Sequence, residues 1–143
     1  MWSGPSTIVG FTRLPAARPP ARIRQVADRI LIVDDSPQFR AMAAELLAAH
    51  GFELVDDAAD GEQALAAVAG ECPDGILLDI NLPGPDGFTV AASLATSCPG
   101  ARIVLTSADA DQVSAEVLQS CAATAFVPKQ ELAVADLRAL LSG

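Results

Sequence analysis

The sequence predicts an α/β fold: a parallel five-stranded sheet covered by helices on both faces, a (βα)5 three-layer sandwich. Three observations predict it. Short all-apolar runs such as Ile30-Leu31-Ile32-Val33 read as strands buried on both faces. These runs alternate with stretches of helical period. Caps and breakers, among them Ser36-Pro37, Gly51 and Pro99-Gly100, fall between them.

The first strand, 30–33, ends in Asp34-Asp35. Ser36 follows as an N-cap with Pro37 at the first helical position, and Phe39, Met42, Ala43, Leu46 and Leu47 form one apolar helix face up to Gly51. Residues 52–55 give a second strand, with Asp56-Asp57 read as a loop. Asp60 and Gln63 form a capping pair for a helix carrying Ala64, Leu65 and Val68, stopped by Gly70. A third strand, 75–78, is closed by Asp79, and a helix over 88–97 follows. A fourth strand, 102–105, is closed by Thr106, and a helix over 111–122 follows. The fifth strand, 124–127, is closed by Pro128-Lys129, and a last helix spans 132–141. Alternating strands and helices imply right-handed crossovers and a parallel sheet.

The chain has 143 residues, enough for one domain and a tail. With 51% hydrophobic and 19% charged residues and a mean hydropathy of +0.36, it can build a core, which excludes wholesale disorder. No apolar run approaches the ~20 residues of a membrane-spanning helix. The start lacks the basic region of a secretory signal, so the expected compartment is the cytoplasm. Residues 1–28 hold four prolines and four arginines, carry a net charge of +3 and read as a flexible extension; residues 29–143 carry −12 and read as the folded domain. The acidic body argues against direct DNA binding. The three cysteines, Cys72, Cys98 and Cys121, are odd in number and widely spaced, and read as thiols rather than as a disulfide framework or a zinc site. His50 reads as a helix-end residue with nothing to complete a catalytic triad.

The residues that end the strands carry the chemistry. Asp34 and Asp35 end the first, Asp79 the third, Thr106 the fourth and Lys129 the fifth. In an open α/β sheet, ligands bind outside the carboxyl ends of the strands, so these side chains should converge on one crevice. Any one of them, taken alone, reads as a turn residue, a cap or a solvated charge. Three carboxylates together raise one another's pKa, and an oxygen-ligated divalent cation relieves that repulsion; Mg2+ suits such a site and Mn2+ would also fit. With the cation bound, Asp79 can act as a nucleophile while Thr106 and Lys129 contact a transferring phosphoryl group. No phosphate-binding Gly-x-x-x-x-Gly-Lys loop is present.

Four segments carry a resemblance: Ile-Leu-Ile-Val-Asp-Asp-Ser at 30–36, Leu-Leu-Asp-Ile-Asn-Leu-Pro-Gly-Pro-Asp-Gly at 77–87, Val-Leu-Thr-Ser-Ala at 104–108, and Phe-Val-Pro-Lys at 126–129. Together they resemble the receiver domain of bacterial two-component response regulators, of the stand-alone, chemotaxis-receiver-like type. The resemblance implies a flavodoxin-like strand order, 2-1-3-4-5; the chemotaxis receiver is itself the standard example of that order. It implies that Asp79 accepts a phosphoryl group from a sensor histidine kinase or a histidine phosphotransfer protein. Asp34, Asp35 and Asp79 would bind Mg2+, with the backbone carbonyl of Asn81 as a further ligand. Thr106 and Lys129 would contact the phosphoryl group. Thr106 and Phe126 would form the switch, and the face made by the fourth helix, fifth strand and last helix would control an unknown output protein. Asn81 and Ala108 stand where the family tunes phosphoryl lifetime. Gln130 follows Lys129 where the family often has a cis-proline, which leaves that peptide open. The function implied is phosphorelay signalling, with self-catalysed acceptance and slow loss of the phosphoryl group as its only chemistry. Alternatives are a phosphorylation-independent interaction module of the same fold, a fragment of a larger regulator or hybrid kinase, and a phosphatase with an aspartate nucleophile.

Overall fold

The computed structural model describes residues 28–108, 114, 116 and 121–141. The extension expected over 1–28 therefore lies outside the described residues except for Asp28, as do most residues of the helix expected over 111–122.

The described elements are β1 (Arg29–Val33), α1 (Pro37–Ala49), β2 (Glu53–Ala58), α2 (Gly61–Val68), β3 (Gly75–Asp79), α3 (Gly87–Ser97), β4 (Arg102–Ser107), β5 (Ala125–Pro128), a 3-10 turn (Lys129–Glu131) and a closing helix, α4 (Leu137–Leu141). The five strands are parallel and ordered β2-β1-β3-β4-β5, as the resemblance implied. Strand pleating separates two cores. Leu31, Val33, Ile76, Leu78, Ile103 and Leu105 pack with Ala64, Val68, Val90 and Leu94 of α2 and α3. Ile30, Ile32, Leu77, Val104 and Val127 pack on the other face with Ala43 and Leu47 of α1 and Leu137 and Leu141 of α4. All five β3 residues are buried, which places Asp79 at the end of a strand covered on both sides.

Caps set where the helices begin. Ser36 Oγ accepts from Phe39 N at 3.2 Å, with Pro37 in the first turn. Asp60 Oδ1 accepts from Gln63 N at 2.8 Å, and Gln63 Oε1 reaches back to Ala59 N at 2.8 Å. Asp86 Oδ1 accepts from Thr89 N at 2.9 Å, so α3 starts at Gly87, one residue ahead of the expected bound. Gly87 has a steric reason. A Cβ there would meet the backbone of Ile80 and Asp79, including Asp79 O at 2.5 Å. Gly87→Ala should therefore destabilise the fold by about 2 kcal/mol in chemical denaturation, because backbone and not a flexible side chain must give way.

Four expectations are corrected. Asp56 and Asp57 are not a loop but part of β2, which extends to Ala58. This is an edge strand with outward carboxylates, and its register slips between Ile30 and Leu31, so Val55 is passed over. Met42 is 44% exposed and lies off the buried face of α1, whose fully buried residues are Ala43 and Leu47. The last helix does not begin at Leu132. The chain makes a 3-10 turn and further turns first, and the Asp136 carboxylate accepts from Ala139 N at 3.2 Å at the start of α4. Finally, Cys72 and Cys98 form a disulfide, with Cα atoms 5.6 Å apart. Packing of α3 beside β3 brings together two cysteines separated by 26 residues, a proximity that spacing does not reveal. Cys121 lies outside this bond. Every described peptide bond is trans, including the one after Lys129.

His50 is a helix-end residue, as expected. It follows α1, with Nδ1 2.9 Å from Leu46 O, and its own carbonyl accepts from Arg138 Nη1 at 2.9 Å. The Arg138 guanidinium also lies over the Phe52 ring, 5.5 Å from its centroid. Arg138→Ala should lower stability by about 1 kcal/mol by thermal or chemical unfolding, since it removes both the α1–α4 hydrogen bond and the ring contact.

Candidate functional site: an acidic cluster at the carboxyl end of the sheet

β1 and β3 are neighbours, and their ends carry the three acids. One carboxylate oxygen from each of Asp34, Asp35 and Asp79 lies within 4.8 Å of the others. Asp34 and Asp79 are buried at 0% and 3% exposure, whereas Asp35 faces solvent. Asp34 is locked locally: its Oδ1 accepts from Ser36 N at 2.8 Å, and its backbone N–H donates to Ala58 O at 2.9 Å. The capping turn that starts α1 thus also orients the first acid.

β5 delivers the counter-charge. Lys129 Nζ lies 2.8 Å from Asp34 Oδ2, as an ion pair off the direction of a good hydrogen bond, and 3.7 Å from Asp79 Oδ2. The ammonium also sits over the Phe39 ring, 4.2 Å from its centroid. Among the described residues, Lys129 thus pairs with two of the three acids of the cluster.

The Asp79 pKa is raised from 3.8, chiefly by burial. The Asn81 N–H, which donates to Asp79 Oδ1 at 3.1 Å, pulls it down, the Asp34 charge pushes it up, Lys129 pulls it down and Asp35 pushes it up. An acid of this kind gains from any cation placed against it.

Thr106 is the register partner of Asp79 on the adjacent strand β4 and is fully buried. Its Oγ1 has no hydrogen-bond partner. A buried hydroxyl without a partner is costly, and it is suited to an oxygen-rich group brought to Asp79. Asn81 Nδ2 donates to Ser107 Oγ at 3.1 Å, which ties the loop after β3 to the end of β4. Phe126 lies on β5 opposite Leu105, half-buried against the α2–α3 core.

The structure thus brings Asp34, Asp35, Asp79, Thr106 and Lys129 together, with Asn81 at the border and Phe126 one strand away. Sequence reasoning missed three contributors. Phe39, read as core, lies under the lysine. Arg40 donates through Nη1 to Asp34 O at 2.6 Å and pairs through Nε with Asp57 Oδ2 at 3.1 Å, holding the turn that carries Asp34. Ser107 anchors the Asn81 side chain. The available signal was position: Phe39 and Arg40 occupy the helix turn that directly follows the acidic pair. Phe39→Leu should leave the fold intact but weaken the hold on Lys129 by about 1 kcal/mol, measured as coupling in a double-mutant cycle with Lys129→Met.

Among the described residues, no helix is long and apolar enough to cross a membrane. The family model of the response regulator receiver domain matches residues 30–142. The transcriptional regulatory protein TcrA of Mycobacterium tuberculosis is 45% identical over 85 residues, which cover 58% of this chain and 33% of that protein, so the chain spans about a third of that relative. The chemotaxis protein CheY of Bacillus subtilis is 38% identical over 87 residues, covering 61% of this chain and 72% of that one. Among solved structures, the response regulator TrrA of Thermotoga maritima in complex with Mg2+ and a beryllofluoride superposes with a TM-score of 0.63 at 35% identity, over 71% of this chain and 85% of that chain. Fold, strand order and family model agree, and the chain belongs to the receiver domains of two-component response regulators.

Proposed function

We propose that this chain, through a receiver unit spanning 29–143, is a Mg2+-dependent phosphoacceptor. It takes a phosphoryl group onto Asp79 from a phosphohistidine of a sensor kinase or histidine phosphotransfer protein, and changes conformation to control a separate partner. The observation that carries this reading is the pairing of a buried acid, Asp79, with a buried, partnerless hydroxyl, Thr106, beside a lysine already in place.

Asp34, Asp35 and Asp79, with the Asn81 carbonyl, would hold Mg2+, and Mn2+ would suit the same oxygen ligands. When bound, the cation supplies countercharge to the carboxylates and to the phosphoryl oxygens. A carboxylate oxygen of Asp79 attacks phosphorus in line with the leaving imidazole; the P–N bond breaks, its electron pair stays on nitrogen, and the imidazole retains a proton. Lys129 is near enough to move from Asp34 toward a phosphoryl oxygen and so neutralise charge as it accumulates. Thr106 donates its hydroxyl to another oxygen. That movement of Thr106 would make room for Phe126, and the helix expected over 111–122, β5 and α4 would present the change to the output partner. The chain's purpose is signalling rather than turnover, in the cytoplasm, with no direct DNA contact.

Two experiments test this. Incubation with an autophosphorylated histidine kinase should transfer label to this chain in a hydroxylamine-sensitive, base-labile form, as an acyl phosphate requires; label stable to base would overturn the assignment to Asp79. Thr106→Val should leave stability unchanged or raise it by up to about 1 kcal/mol, because it removes a partnerless buried hydroxyl, while the phosphorylated state loses its conformational change. A variant that unfolds easily, or that still switches, would contradict the role given to Thr106.

A further inference from the structure

We propose that the Cys72–Cys98 pair is a thiol–disulfide exchange site, a redox-responsive staple at the amino end of the sheet, opposite the acidic cluster. The inference is independent of the phosphoryl reading.

The bond joins the loop ahead of β3 to the end of α3. The chain it closes, 72–98, contains β3, Asp79 and all of α3. The two cysteines are unequal. Cys98 caps α3, is 1% exposed and packs in the α2–α3 core, whereas Cys72 faces solvent. A reductant can therefore reach the pair from the Cys72 side only. The loop bearing Cys72 is held independently of the disulfide: Asp74 Oδ2 accepts from Arg29 N at 2.8 Å, Asp74 N donates to Arg29 O at 2.8 Å, Glu71 pairs with Arg29 at 2.9 Å, and Pro73 is buried. Cys98 is held by its own backbone bond to Leu94 O at 2.7 Å. Both cysteines therefore stay in bonding range when the disulfide opens. Ser97 O, 3.5 Å from Cys72 Sγ, offers an acceptor for the thiol that results. A pair with one open sulfur and a preformed reduced geometry can cycle, unlike a disulfide sealed in a core.

The chemistry balances. A thiolate of an external dithiol bonds to Cys72 Sγ, the Cys72–Cys98 bond breaks, and its electron pair goes to Cys98 Sγ, which takes a proton. The second thiol of the reductant then displaces Cys72, which also becomes a thiol, and the dithiol leaves as its disulfide. The reverse direction uses a low-molecular-weight disulfide such as oxidised glutathione. In a reducing compartment, pairs that form under such control act as sensors and not as permanent braces. Closing a loop of this size restricts the unfolded chain, so oxidation should raise the melting temperature by roughly 10 °C.

The test is a titration of the whole chain across ratios of reduced to oxidised glutathione, with denaturing alkylation and intact mass as readout. Oxidised protein should carry one label, on Cys121, and reduced protein three. Melting curves of both forms should differ by the shift above in the natural sequence and coincide in Cys72→Ser. The Cys72→Ser variant keeps the buried Cys98 and so keeps the core. Three labels at every ratio, one label even at the most reducing ratio, or identical melting of the two forms would each overturn the proposal.

Discussion

Asp79→Asn is expected to end phosphoryl acceptance and, at the same time, to stabilise the metal-free protein. The two effects have one cause. Burial and the Asp34 charge hold the Asp79 pKa above 3.8, so ionising this carboxyl costs more in the folded chain than in the unfolded one. Below 3.8 both states are protonated and the penalty is absent. As pH rises from 3.8 through the higher folded value the penalty grows, and above it the penalty is constant. Asparagine keeps the shape and the Asn81 contact without the charge. The melting temperature at pH 7 should rise by roughly 2–5 °C, and the gain should vanish as the pH is lowered below 3.8. Added Mg2+ should stabilise the natural chain more than the variant, because only the natural chain presents the full cluster. Calorimetry at three pH values, with and without Mg2+, reads all of this. A variant less stable than the natural chain at pH 7 would show that Asp79 is not strained by its surroundings.

Lys129→Ala is expected to be the most destabilising single change at the site. Asp34 is fully buried and its Oδ2 faces the ammonium at 2.8 Å. Removing one partner of a buried pair leaves an uncompensated charge, at a cost of about 3 kcal/mol. Adding Asp34→Asn should recover most of that loss, since neither charge then remains, and Mg2+ should recover part of it in the single variant. Neither rescue should restore acceptance, which should stay about 100-fold slower because the cation proposed to move onto the phosphoryl oxygens is gone. Urea denaturation of the two variants separates the stability term from the kinetic one. A Lys129→Ala protein as stable as the natural chain would mean that the Lys129–Asp34 pair contributes nothing to the fold.

The candidate site was legible because its residues are punctuation. Asp34, Asp35, Asp79, Thr106 and Lys129 lie at or just beyond the carboxyl ends of strands, and in a parallel sheet all strand ends of one kind lie on one side. β1, β3 and β4 were legible because their apolar runs are unbroken. What failed depended on contacts across the sequence. The disulfide needs α3 to return alongside β3. Asp56 and Asp57 look like a loop because an edge strand can carry charges outward. The start of α4 is set by the local Asp136 cap against the competing 3-10 turn at Lys129, and the apolar period from Leu132 crosses both. Phe39 satisfied the helix pattern so well that its second contact, with Lys129, had no separate signal.

The role proposed for Asp79 is that of a metal-dependent phosphoacceptor. Intact-protein mass after incubation with acetyl phosphate and Mg2+ tests it most directly, alongside EDTA and the Asp79→Asn variant. A gain of one phosphoryl group is expected in the natural chain, lost with EDTA and absent from the variant. An unchanged mass with acetyl phosphate and with a panel of phosphorylated histidine kinases, or a gain that persists in Asp79→Asn, would contradict it.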